Sequence, residues 1–245
     1  MNEHFEVYVM RALILASLVS LSCPAETISV SNTSITINIR FNNFESLDKQ
    51  RYINATKTWL EVIESVKGRA NHTLDIDVIV TDSIESDGLA LVKESHVINE
   101  LNIPSYGIIW MHSDTHKTDF EVESYKGTIL HEIGHILGIG FTTDPFISNY
   151  IDEINGSGFC KENSLAVTTY NRINNTQFSC LPFSTNGHLY DDINSEDEPR
   201  GEHIPPMTEE VMANGNHIQA VTIALLDDIG YNIDYRRMTN QMKSR

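Results

Sequence analysis

The chain has 245 residues, with 17 Lys+Arg against 34 Asp+Glu and a net charge of -17. That length is ample for a core that needs no staple, and 40% hydrophobic with 21% charged residues argues against overall disorder. The acidity, with a pI near 4.8, argues against nucleic acid as a partner and disfavours docking on anionic membranes.

Residues 12–21 read ALILASLVSL, an uncharged run. It is too short to span a bilayer and has the length of a signal-peptide core, with Arg11 before it and small residues after it. Residues 1–25 are therefore read as a signal peptide, with Met10 as an alternative start, and the protein as secreted or exported with no transmembrane span. Cys23 closes the run as in a lipoprotein signal, although Ser20 stands where such signals carry Leu, so a surface lipoprotein is the alternative. Only Cys160 and Cys180 then remain. Two cysteines in an exported chain are expected to pair, closing a loop worth about 3 kcal/mol by the chain-entropy argument. Sequons stand at Asn32, Asn54, Asn71, Asn155 and Asn174; in so Asn-rich a chain they do not identify the host.

Ile35, Ile37, Ile39 and Phe41 alternate with polar residues and predict a half-buried strand. A helix is expected over 46–66, with Tyr52, Ala55, Trp59, Val62, Ile63 and Val66 on one face and Gly68 ending it. Leu74, Ile76, Val78 and Val80 predict a second strand, with Asp75 and Asp77 on its other face; a third is expected at 106–111. Residues 119–137 turn helical and stop at Gly138. From 139 to 201 regular signals are sparse apart from a helix around 164–173. The acidic run 191–202 reads as a solvated loop, with a calcium site as the lesser alternative. Ile218, Val221, Leu225 and Ile229 mark a last helix, closed by Gly230. No repeat and no Pro/Ser-rich linker divides residues 26–240, which are read as one domain followed by a tail at 241–245.

Residues 131–135 read HEIGH. On a helix His131 and His135 lie one turn apart and face the same way, a spacing that can bind zinc, with Glu132 placed as general base toward a metal-activated water. A zinc peptidase needs a third protein ligand and one open position. In the compact metzincin pattern Gly138 would permit the turn and the third His would stand at 141. Position 141 is Phe. Either the site is inactive or the third ligand comes from farther along the chain.

At this point the sequence resembles the leishmanolysin-like metallopeptidases, metzincins whose third His lies beyond a long insertion. INATKTWLEVIESV, YGIIWMHSD, TILHEIGHILGIG, EEVMANG and ALLDDIGYNIDY carry the resemblance, which spans roughly residues 35–235. It implies an α+β fold: a twisted N-terminal sheet with a backing helix and an active-site helix, and a mostly irregular C-terminal part ending in a helix. It implies one catalytic zinc on His131, His135 and a third His, with Glu132 as base and Met212 in a Met-turn beneath the metal. His203 is the first choice as third ligand and His188, in TNGHLYDD, the alternative. The spacing from His203 to Met212 is slightly short for the family, and Ile204 replaces the aromatic residue that often follows the ligand.

His112 and His116 bracket Asp114 and read as exposed polar residues rather than a second metal site. His72 and His96 have no partner in view, His217 is expected to open the last helix, and Met207 to pack or lie exposed. There is no nucleophile elbow, P-loop, dinucleotide fingerprint or CxxC pair. The expected partners are protein or peptide substrates cleaved by a secreted zinc endopeptidase. The competing class is a catalytically silent zinc-containing binding or adhesion module on the same fold, which Phe141 keeps open.

Overall fold

A computed structural model describes residues 25–42, 46–84, 88–92, 97–98, 103–113, 122–140, 149–151, 158–183, 188–189, 207, 210–213 and 217–236. Residues 1–24 with Met10 and Cys23, the acidic run 191–202, His96, Asp114, His116, Phe141, Asn155, His203 and the tail 241–245 lie outside them.

The chain opens with a hairpin of β1 (Glu26–Ser31) and β2 (Ile35–Asn42). Asn32 builds its turn: Oδ1 accepts from the Ser34 and Ile35 N–H groups, and Nδ2 donates to the Ile63 carbonyl. Helix α1 (Ser46–Val62) and the short β3 (Ile63–Val66) lead to β4 (His72–Thr81), which lies parallel to β2. Then come β5 (Gly88–Val92), the paired β6 (Val97–Ile98) and β7 (Ile103–Pro104), and β8 (Tyr106–His112). The main sheet has the order β1-β2-β4-β8-β5, mixed, with β5 antiparallel on its far edge.

The alternation seen in the sequence sets the two faces of this sheet. Ile35, Ile37, Ile39, Phe41, Leu74, Ile76, Val78, Ile109 and Met111 are buried. Their side chains join one core with Tyr52, Ala55 and Trp59 of α1 and with Ile129, Ile133 and Ile136 of α2 (Val122–Ile136). On the other face Asp75 accepts from Asn38 (2.7 Å), and Asp77 accepts from Arg40 (2.8 Å) and Tyr106 (2.8 Å). Charged groups on that face stay paired and partly hydrated, which keeps the burial penalty low.

After α2 the described chain is more regular than the sequence suggested. β9 (Tyr150–Ile151), β10 (Gly158–Phe159) and β11 (Leu181–Pro182) form a small sheet around α3 (Leu165–Asn174), and α4 (Ala220–Ile229) runs into β12 (Tyr231–Ile233). Cys160 and Cys180 are bonded across this segment, as expected. Ser164 caps α3 by accepting from the Val167 N–H. The helix expected over 46–66 ends four residues early. Ile63–Val66 leave it to pair with β12, where Ile63 and Val66 are each 1% exposed. β-branched residues at 62, 63 and 66 suit either a helix face or a strand, and a partner strand almost 170 residues away decides the outcome. Among the described residues no helix is long and apolar enough to cross a membrane.

His72 lies at the start of β4, 4% exposed, and its Nε2–H donates to the Pro104 carbonyl at 2.8 Å. Nδ1 is buried without a hydrogen-bond partner. Burial, and secondarily the nearby Arg69, hold its pKa below the usual 6.5. The folded protein therefore resists a proton that the unfolded chain accepts below about pH 6.5. The neutral ring leaves stability intact above that pH and erodes it as the pH falls toward the folded value. Urea unfolding at pH 7.5 and 5.5 is expected to show a larger acid loss for the wild type than for His72→Gln; equal losses would mean that His72 is not held neutral.

Candidate metal centre

The site begins with the way α2 is held. Its period places His131 and His135 on one side, one turn apart. On the opposite side Ile136 sits over Gly107 of β8, so closely that a Cβ at 107 would collide with it. The indole Nε1–H of Trp59, 0% exposed, donates to the Leu130 carbonyl at 3.0 Å, one residue before His131.

The end of α2 follows from Gly138, whose φ of 110° belongs to the region that favours glycine. The Gly138 N–H donates to the His135 carbonyl (2.9 Å) and the Ile139 N–H to the Gly134 carbonyl (3.2 Å). This pair of bonds is a Schellman closure. It carries the Ile139 carbonyl back to within 2.9 Å of His135 Nδ1. Tyr231, from β12, donates its hydroxyl to the Leu137 carbonyl at 3.0 Å. The glycine read as a turn toward a compact third ligand thus orients the second one.

The turn at 210–213 completes the surroundings. The Val211 carbonyl lies 2.6 Å from His131 Nδ1. Met212 is 0% exposed and its thioether packs against Gly134, where a Cβ would collide with it. The Met212 carbonyl accepts from the Leu189 N–H at 2.8 Å, next to His188. Met207 is also buried, at 8% exposure, and the Glu210 N–H donates to its carbonyl.

Three rings converge there. His131 Nε2 lies 3.0 Å from His135 Nε2 and 3.0 Å from His188 Nε2, and the last two are 3.2 Å apart. The chemistry of these atoms tests whether a metal fits. A carbonyl can only accept, so the Nδ1 atoms of His131 and His135 carry protons and donate them to Val211 and Ile139. In neutral rings both Nε2 atoms are then bare lone pairs. Burial holds all three imidazoles neutral: it lowers His131, lowers His135 further with help from its two neighbours, and brings His188 down to about 4. Facing lone pairs at these separations repel unless a cation lies among them. Nitrogens this close can all stand about 2.0–2.1 Å from one ion, the zinc–imidazole distance. The donor set fits a metal, and the trio His131, His135 and His188 can hold one.

Glu132, 5% exposed, lies against β5. Its carboxylate meets the Ala90 backbone, and the space it fills is left by Gly88, where a Cβ would come within 3.0 Å of Oε1. Burial pushes its carboxyl up to about 8, opposed by the hydrogen bond from Ala90.

Of the candidate ligands, His131, His135 and the alternative His188 are brought together, whereas His203 lies outside the described residues. His112 is half-buried at the end of β8 and His217 is exposed; neither belongs to the cluster. His217 stands before α4, bridged to Glu210, and helix α4 opens three residues later. Trp59, Val211, Ile139 and Tyr231 were not legible as site residues, because all but Trp59 and Tyr231 act through backbone atoms and these two looked like ordinary core. No protein-family model matches the chain, and no curated protein matches it. His188→Ala is expected to abolish stoichiometric metal retention after dialysis, whereas His203→Ala should retain metal like the wild type. The reverse pattern would transfer the third position to His203.

Proposed function

We propose that this chain is an exported zinc-dependent endopeptidase of the metzincin type, similar to the leishmanolysin-like enzymes. The observation that carries the proposal is the convergence of three imidazole Nε2 atoms, two of them from the helix that also carries the buried Glu132. Three neutral histidines, with no fourth ligand in the cluster among the described residues, match the donor count of a catalytic zinc site rather than a structural one. The Met212 turn beneath the helix and the Schellman end at Gly138 support the metzincin reading. The disulfide supports an oxidising compartment.

Bound to His131, His135 and His188, zinc supplies Lewis acidity, which acidifies a water and polarises a carbonyl oxygen. The protein's own part is to hold the acid–base group. Glu132 takes a proton from the attacking water and returns it to the departing amine. Its wall position, with Ala90 bonded to it, fixes where that proton transfer occurs. Burial, against the Ala90 hydrogen bond, raises its pKa to about 8; beside a dication the same carboxyl ionises more readily, toward the range where it can both accept and give a proton near neutrality. Substrate would lie extended along β5, the antiparallel edge of the sheet, by strand addition. The Val97–Ile98 and Ile103–Pro104 pairing does not extend that edge.

Cleavage of an unfolded protein by purified mature enzyme, with and without chelator, tests the reading. Glu132→Ala is expected to keep its metal and lose on the order of 10²–10⁴ in rate. Full activity in that variant would remove Glu132 from the mechanism. A metal-loaded wild type that cleaves nothing, across varied unfolded substrates, would favour the silent binding module.

A further inference from the structure

Glu210 is 0% exposed and belongs to none of the roles above. Its Oε1 accepts from the Val211 N–H at 2.8 Å. Both carboxylate oxygens accept from the Gln219 N–H, at 3.2 and 3.1 Å, and the Thr222 backbone is bonded to the same group. Gln219 is the N-cap of α4 and makes no side-chain cap of its own. A buried carboxylate at that helix start satisfies orphan N–H groups and meets the positive end of the dipole. Capping explains the contacts to Gln219 and Thr222. It does not explain the bond to Val211, which belongs to the 210–213 turn and not to α4.

That bond leads to the metal centre. The peptide group preceding Val211 is held by Glu210 Oε1 and by the His217 carbonyl, which accepts from the same N–H at 2.7 Å. The carbonyl of Val211 receives the His131 Nδ1 proton. The next carbonyl, that of Met212, receives the N–H of Leu189 beside His188. Tilting this turn would therefore displace the orienting partners of two ligands together. We propose that Glu210 is a positioning residue for the metal centre, setting the turn whose carbonyls aim His131 and hold the His188 segment. The proposal rests on the reading of the His131, His135 and His188 trio as a metal site. Outer partners of ligating histidines commonly control metal affinity.

The test is the zinc dissociation constant of the full-length mature protein, measured by competition with a chromophoric chelator, together with the absorption spectrum of the cobalt-substituted protein. Glu210→Ala is expected to weaken zinc on the order of 10–100-fold and to shift the cobalt bands. Glu210→Gln keeps an oxygen for the Val211 N–H and is expected to recover most of the affinity. Should Glu210→Ala fail to fold, Glu210→Met fills the same space without an acceptor and is read in its place. Ser29→Ala removes an exposed bond to Asn38 in the β1–β2 hairpin, away from the 210–213 turn, and should leave affinity and spectrum unchanged. His131→Ala separates the two levels of the argument. If it binds zinc as the wild type does, the metal-site reading fails and the proposal with it. If it loses zinc while Glu210→Ala and Glu210→Met keep wild-type affinity and cobalt bands, Glu210 only caps α4 and the positioning role is overturned.

Discussion

The structure around the site depends on two imidazole protons being committed to backbone carbonyls. Once His131 donates to Val211 and His135 to Ile139, their remaining nitrogens have only lone pairs to offer. His188 brings a third to within 3.2 Å. Such an arrangement is costly by itself and favourable around a cation, so binding a metal contributes directly to holding the fold. The ion would join α2 to a segment more than 50 residues later, and the turn that aims His131 lies 80 residues along. Closing loops of that length costs conformational entropy, which a shared ligand offsets.

Close approach is the second requirement. The helix carrying HEIGH is clamped between the sheet and the 210–213 turn, and each contact is made where a side chain is missing. Gly107 admits Ile136, Gly134 admits the Met212 thioether, and Gly88 leaves room for the Glu132 carboxylate. Substituting any of the three would move the helix, the Met212 thioether or the Glu132 carboxylate rather than merely fill space, because packed interiors have no slack to absorb even a methyl group.

What could be read from the sequence was local. The i, i+4 spacing of HEIGH, the stop at Gly138, the alternating strands 35–41 and 74–80 and the helix near 164–173 all depend on neighbours within a few residues, and all are present. The β1 strand escaped notice because only Val30 in it is fully buried, so its alternation carries little hydrophobic contrast. β5 is short and lies at an edge. The strand β3 was absorbed into a helical period because nothing near it announces β12. The third histidine was the hardest. His203 and His188 both stood open as the third ligand; His203 lies outside the described residues, and what brings His188 to the pair is Leu189 N–H to Met212 carbonyl, a pairing with no sequence signature.

The C-terminal part raises the question of how an acidic, turn-rich region holds a ligand in place without an extensive sheet. Carboxylates at helix starts supply much of the answer. Asp228, on α4, accepts from Ser164 Oγ and from the Leu165 and Ala166 N–H groups at the head of α3. Glu210 does the same at the head of α4 and reaches Val211 as well. The two bonds run in series: α3 is fixed to α4, α4 to the turn, and the turn to His131. Each is a buried or half-buried carboxyl group whose oxygens accept from backbone donors. The disulfide closes the same region at Cys160 and Cys180, one before and one after α3. The residues that make the chain acidic are thus, at two places, the ones that connect its least regular segment to the histidines.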